Sequence, residues 1–360
     1  MTLRRRRLGS PCLNAGSAGF SLVEMTVALA LVSVVVLAVL VPLDRGLRLS
    51  LVQPDVGDLD QRLRVASSAI RTALERAGAG LPAGEDIGAL TLRWPAVYPH
   101  RRGADDVDAP DSAFTDRFTA ISASRSGAAP GLSLQMLTGS APIGFLTGFP
   151  CPAADARCGF RPSDLAALDD MWGRAEVFRV TAAGPGVVEH APAVLAHAYR
   201  PADRARVFPV EVRHFRHDAA RRQLRAGSGG ATEAPVLDDV LAMEVAYVGT
   251  SRPPPGPRPP LGVATCLFDE YGVSRLADLP GGAGGLVALP RAAFADGPFC
   301  GEGRARYDAD LLRVRRVVVR LRLGWTARRG SAGVRSGLEH VAEQREVVVD
   351  VVPRNLHPGW

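Results

Sequence analysis

The chain of 360 residues contains no lysine, so arginine supplies all 43 of its basic side chains. This absence excludes a phosphate-binding loop, which needs a lysine after its second glycine. The run Gly281-Gly-Ala-Gly-Gly therefore reads as a flexible loop. The missing lysines are a composition bias and carry no mechanism of their own. Catalytic signatures are also missing: there is no Gly-x-Ser-x-Gly elbow and no His-Glu-x-x-His pair. An enzyme reading has no residues to name, and no cofactor is implied. Excess charge is scarce as well. The net charge of +6 includes four arginines in residues 1–19, where there is no acid. Beyond residue 19, 39 arginines face 37 acids, too small an excess to argue for a phosphate-binding surface. Arg313, Arg315 and Arg316, with Arg320 and Arg322, could form a basic strand face. Without interleaved aromatics it reads as a solvated face or a contact for an acidic partner rather than a nucleic-acid site.

What the chain does have is one long apolar stretch. From Phe20 to Val41 it is almost uninterrupted, and 22 residues at about 1.5 Å each span about 33 Å, enough for a bilayer core of roughly 30 Å. Arg4 to Arg7 precede it and orient the chain with its N-terminus cytoplasmic and its bulk outside. Glu24 does not belong in a plain anchor. A carboxylate among lipid tails costs on the order of 2.5–3.5 kcal/mol, so an acid there calls for a partner. A cleavable secretory signal would carry its small-residue cut site after the apolar run, whereas Gly19 lies before it.

Gly19-Phe20, with Glu24 five places into the segment and a basic leader in front, resembles the class III signal of type IV pilins and pseudopilins. The resemblance implies that a prepilin peptidase cuts after Gly19 and methylates the new amine on Phe20. It implies an assembly role for Glu24, which would pair with the N-terminal amine of a neighbouring helix. Such a pair makes each buried charge tolerable and fixes axial register. Looser stretches resemble PilW-type minor pilins: Phe160-Arg-Pro-Ser-Asp-Leu, Glu176-Val-Phe-Arg-Val-Thr, the hairpin ending at Leu224-Arg225, Val236 to Tyr247, and Val351-Val-Pro-Arg-Asn-Leu356. Residues 252–305 share no stated likeness.

Four cysteines remain outside the leader, which holds Cys12. An even number on the exported side suggests disulfides, with Cys151–Cys158 and Cys266–Cys300 the nearest pairings among three possible connectivities. Neither spacing resembles the Cys-x2-Cys of a zinc site. His214 and His217, with Glu189, His190 or His197, are conceivable metal ligands. Three-residue spacing puts the first two on opposite faces of a strand, so they read as surface or hairpin residues. The acids at 105, 106, 108, 111 and 116 lack calcium-loop spacing and read as a solvated loop.

Downstream, Pro42 ends the apolar half and Pro54 is placed to bend or interrupt the helix. Leu59, Leu63, Ala66, Ile70, Ala73 with Leu74, and Ala77 recur at helical spacing, and Gly78 and Gly80 supply a stop. Strands are predicted at Leu90–Trp94, around Leu132, Leu134 and Met136, at Ala175–Thr181, and at Leu241–Tyr247. Val207–Phe215 and Arg222–Arg225 read as a hairpin, and Val317–Leu323 and Val347–Val351 as closing strands. Six prolines between Arg252 and Pro260 mark an extended loop, and 266–305 looks like an inserted loop lobe.

The expected fold is α+β: a pilin-like long N-terminal helix packed on an antiparallel sheet head with inserted loops. The expected division is a leader at 1–19, a membrane or filament-core helix at 20–41, an amphipathic half at 42–80, and an extracytoplasmic head at 81–360 with a Pro/Gly-rich insertion at 252–305. The expected function is that of a minor pilin priming or capping a pilus. Its expected partners are a prepilin peptidase, other minor pilins, the major pilin and the inner-membrane assembly platform, with the membrane engaged through 20–41. Location would be the bacterial inner membrane before assembly and the pilus afterwards. The alternatives are a J-type pseudopilin of a type II secretion system and a pilus-tip adhesin or DNA-uptake pilin.

Overall fold

The structure, a computed structural model, describes residues 21–80, 95–102, 108–109, 112–124, 128–170, 175–191, 195–229, 232–253, 261–262, 264–280, 285–301, 306–329 and 339–353. The expected strand at Leu90–Trp94 and most of the proline run at 252–260 lie outside these residues. The chain divides into two units, residues 1–57 with 328–340, and residues 58–327 with 341–360.

Helix α1 (Leu22–Arg76) is continuous through Pro42 and Pro54, without the break that Pro54 allowed. In the first unit its Leu22–Leu43 segment is apolar on every face, with a mean hydropathy of 2.8 and no residue buried. In the second unit the expected stripe faces the core: Leu63, Ala66, Ile70, Leu74 and Ala77 are buried, and Leu59 and Ala73 pack against that core. The helix stops where Gly78 turns into the left-handed region and donates its N–H to Ile121 O at 2.8 Å.

The strands in chain order are β1 (Val97–Tyr98), β2 (Arg117–Ala123), β3 (Ile143–Gly144), β4 (Leu165–Asp169), β5 (Ala175–Gly184), β6 (Val187–His190), β7 (Arg206–Asp218) and β8 (Gln223–Ser228). They continue with β9 (Ala234–Leu237), β10 (Val240–Thr250), β11 (Leu286–Leu289), β12 (Phe299–Cys300), β13 (Tyr307–Asp308), β14 (Val314–Arg329) and β15 (Glu339–Val351). One sheet runs β1-β2-β7-β4-β5-β6-β3, with β8 attached to β7 and β9 to β8; a second runs β11-β10-β14-β15.

Strand β7 is the spine of the first sheet. One side pairs with β2; the other pairs with β4 over Arg206–Val210 and with β8 over Arg213–Asp218. Gly229 sits at this handover with φ +49°, and an added Cβ would lie 2.2 Å from Leu165 Cδ1, so no larger residue fits without displacing Leu165. The expected β7–β8 hairpin is present, with its turn at residues 219–222. The alternation around Leu132, Leu134 and Met136 does not make a strand. Gly131 and Leu132 instead form isolated bridges to Arg206 and Phe145. These bridges link the outer side of β3 back to β7, so β7, β4, β5, β6 and β3 ring a second core containing Phe145, Phe160, Phe178 and Val207.

In the second sheet Val317, Val319, Leu321 and Leu323 point into the main core, as their alternation predicts. Of the 252–305 stretch, β11 joins this sheet, and Leu267, Phe268, Leu276 and Phe294 enter the main core. A buried guanidinium ties the stretch down. Arg313, 1% exposed, donates to Ser251 O at 2.7 Å and Ala277 O at 2.5 Å and pairs with Asp310. Burial pushes the Asp310 carboxyl up to about 6; Arg313 opposes the rise, while Asp308 and Asp296 add to it.

Both expected disulfides are present, Cys151–Cys158 with Cα atoms 4.9 Å apart and Cys266–Cys300 with Cα atoms 5.1 Å apart. They close loops with sequence separations of 7 and 34. Loop-closure entropy assigns about 2.5 kcal/mol to the short bridge and about 4 kcal/mol to the long one. Urea unfolding of Cys151→Ser/Cys158→Ser and Cys266→Ser/Cys300→Ser double variants should show the larger loss for the second. An equal or larger loss for the first would contradict the assignment.

Candidate functional site

The candidate site is the start of α1. Gly19 and Phe20, the expected cleavage and methylation positions, lie outside the described residues. Glu24 lies in the first turn of the helix and is exposed. Its Oε2 accepts the Ser21 N–H at 3.1 Å, and its own N–H is donated to Ser21 Oγ at 3.2 Å. This reciprocal arrangement is a capping box, which satisfies two backbone donors that the first helical turn leaves without partners. The Ser-x-x-Glu spacing at 21–24 states it in the sequence, where the acid stood out only as a charge in an apolar run.

The box bears directly on what Glu24 can do. The N-terminal end of the helix dipole favours a negative charge there. A carboxylate offers about four lone-pair directions, so a donor from another chain can join the Ser21 N–H without displacing it. Elsewhere in Leu22–Leu43 the polar side chains satisfy themselves within the helix. Thr26 Oγ1 donates to Val23 O at 2.9 Å, and Ser33 Oγ donates to Leu29 O at 2.8 Å. Glu24 is thus the one charged side chain of the segment.

The other sequence candidates take structural positions. His214 and His217 lie in the β7–β8 hairpin, but His214 is buried there rather than at the surface, and His190 is buried as well. His214 lies 3.4 Å from Glu233, which also meets Arg216 at 2.5 Å, Arg101 at 3.6 Å and Arg225 at 3.7 Å. His190 contacts the carbonyls of Ala191 and Ala141, and His217 Nε2 that of Val240. His197 meets Glu176, whose carboxylate also accepts from the Ala196 N–H and Tyr199 Oη. Among the described residues no group of three or more His, Cys, Asp or Glu could hold a metal ion. Asp108 and Asp116 face guanidiniums: Asp108 takes Arg101 and Arg117, and Asp116 takes Arg117. Burial alone would raise the Asp108 pKa, but hydrogen bonds from Arg101 and the nearby guanidinium charges bring it below the usual carboxylate value.

Of the expected basic strand face, Arg316, Arg320 and Arg322 do share the outward side of β14, whereas the other two arginines do not. Arg313 and Arg315 are buried, and Arg315 donates to Leu312 O and Val314 O at 2.8 Å. Arg316 pairs with Asp350, and Arg320 lies 4.0 Å from Glu244. The carboxylates of Asp350 and Glu244 beside Arg316 and Arg320 offset part of the charge on that outward side, which weakens the case for phosphate binding there.

Residues 14–40 match the family model of the prokaryotic N-terminal methylation motif. The match covers the start of α1 and the residues before it, and it supports a type IV pilin-like or pseudopilin-like chain whose N-terminus is processed. No curated protein matches the chain in sequence. The single apolar helix and the motif together fit membrane anchoring.

If the capping box orders the first turn, Ser21→Ala should cost about 1 kcal/mol there. Amide hydrogen exchange at Val23 and Glu24 in detergent micelles should then speed up by about fivefold, with the turns after Ala30 unchanged. Unchanged exchange at both amides would show that Ser21 does not hold this turn.

Proposed function

We propose that this chain is a minor type IV pilin of the PilW type, cut after Gly19, methylated on Phe20 and assembled with other minor pilins to prime or cap a pilus. The observation that carries the reading is a helix of 22 residues, apolar on all sides and with no residue buried, that bears one carboxylate in its first turn. Burying a Val or Leu side chain is worth about 1.5–3 kcal/mol. The segment therefore gains strongly from lipid and can then exchange lipid for neighbouring helices, where packing rather than hydrophobicity decides.

Glu24 supplies the selectivity. Cleavage after Gly19 creates an ammonium group on Phe20. In a neighbouring helix that group is the natural partner for a carboxylate stranded among apolar side chains. The pair offsets two desolvation costs at once, and it forms only when the helices are in register. Methylation of the amine keeps its positive charge. The role is assembly rather than turnover, with the disulfide-braced head making contacts outside the membrane. The loose PilW-like stretches and the length of the head support the pilus over a secretion system.

Mass spectrometry of the N-terminus after co-expression with a prepilin peptidase tests the reading. The expected chain begins at Phe20 and carries one methyl group. In the Glu24→Ala variant the same processing should occur while incorporation into pili falls to background. A chain still beginning at Met1, or normal incorporation of the variant, would overturn the reading.

A further inference from the structure

The second half of α1 borders an open trough of about 730 Å³ where it meets the first sheet. Its helix wall includes Val65, Ala69 and Ala73, a ridge of four-residue steps inclined to the helix axis, with Ser68 and Thr72 beside them; its sheet wall includes Ala120, Phe215 and Val236. Val65 is 58% exposed, a branched apolar side chain left in the open. The two alanines keep the helix wall low, so a second helix can approach closely. The rim carries three guanidiniums, Arg64, Arg76 and Arg213, against one carboxylate, Glu211. Glu211 already lies 3.4 Å from Arg76 and 2.8 Å from Arg213, so the rim keeps a surplus of positive charge. Arg64 and Arg76 are twelve residues apart on the helix, about 18 Å along its axis.

We infer that this trough docks an amphipathic helical segment of a partner subunit, its apolar face on Val65, Ala69 and Ala73 and its carboxylates against Arg64 and Arg76. A helix fits the site better than a strand. Ala120 and Phe215 lie on interior strands, with β2 paired to β1 and β7, and β7 paired to β2, β4 and β8, while Val236 lies on β9, a short edge strand paired to β8 alone. β9 offers an edge of only 4 residues, so an extended segment long enough to run from Arg64 to Arg76 would leave most of its backbone donors without partners, whereas a helix satisfies its own. The charge surplus selects a segment bearing acids about three turns apart. The helix comes from another chain. Among the described residues α1 is the one α-helix here, and its own apolar stripe is already in the core. The inference rests on the reading of the chain as an assembling subunit.

The test is photo-crosslinking of the full chain in its own bacterium, with p-benzoylphenylalanine replacing Val65 and the captured peptide identified by mass spectrometry. The expected product joins Val65 to a helical, carboxylate-bearing segment of another chain with an N-terminal methylation motif. Arg64→Glu should lower its yield at least fivefold, as should Arg64→Glu with Arg76→Glu. Arginine in place of the partner's carboxylates should restore it. Arg64→Glu alone leaves the Arg76–Glu211 pair intact, so loss of folding does not explain its effect. Capture of a second copy of this chain, of lipid or of a segment without acids would overturn the inference, as would a yield indifferent to Arg64→Glu or no product at all. The N-terminal mass is read in the same sample. A processed chain with no such product fails the trough alone, whereas an uncleaved chain fails the assembly reading beneath it.

Discussion

A helix that is apolar all round cannot be content in its own chain. The Leu22–Leu43 segment has no buried residue, and an exposed apolar surface of that size in water would be a strong drive to aggregate. Lipid removes that drive, and so do other helices of the same kind. The second environment also has room for a charge, provided that an opposite charge arrives with the neighbour. The demands on Glu24 follow from this. On the proposed reading it is to be tolerable in lipid for a time and then worth burying. The Ser21–Glu24 box helps with the first requirement by giving the carboxylate local donors at the start of the helix.

The head is built on a different principle. One long strand, β7, carries two neighbours in turn along one side, and the handover leaves space for a glycine only. Around it the chain makes two cores rather than one, the first under the amphipathic half of α1 and the second inside the ring closed by Gly131 and Leu132. Buried ionic groups fasten the loops between them. Arg313 reaches backbone carbonyls 62 and 36 residues away in sequence, and Glu176 gathers the loop at Ala196–Tyr199. A charge buried in this way stabilises little by itself, but removing one partner leaves the other uncompensated, commonly at about 3–5 kcal/mol.

Much of this was legible in the sequence where a local period or composition decides the outcome. The apolar span, the stripe from Leu63 to Ala77, the β7–β8 hairpin and the inward valines of β14 all follow from periods of 3.6 or 2. The disulfides followed from nearest spacing and an even cysteine count outside the expected leader. What stayed hidden depends on distant residues. The alternation at Leu132–Met136 has the period of a strand, but the partners available there support only single bridges. Arg313 looks like an outward cation by type, yet carbonyls supplied from far along the chain let it be buried, while Arg315 is buried on the carbonyls of its neighbours Leu312 and Val314. His214 reads as a hairpin surface residue until Glu233 arrives from the next turn. At the candidate site, Glu24 is conspicuous as a charge in an apolar run, which masks the Ser-x-x-Glu spacing that encodes its hydrogen bonds to Ser21 in the same four residues.

The central claim is that the carboxylate of Glu24 and an amine freed by cleavage bring apolar helices together. The most direct measurement is energy transfer in lipid vesicles between this chain and a second chain carrying the same methylation motif, each labelled on its head. Three forms of this chain are compared: one beginning at Phe20, one retaining residues 1–19, and Glu24→Gln beginning at Phe20, each mixed with a second chain cleaved or uncleaved to match. The account predicts strong transfer for the first form and background transfer for the other two. Equal transfer in all three would contradict it, because apolar packing alone would then be sufficient.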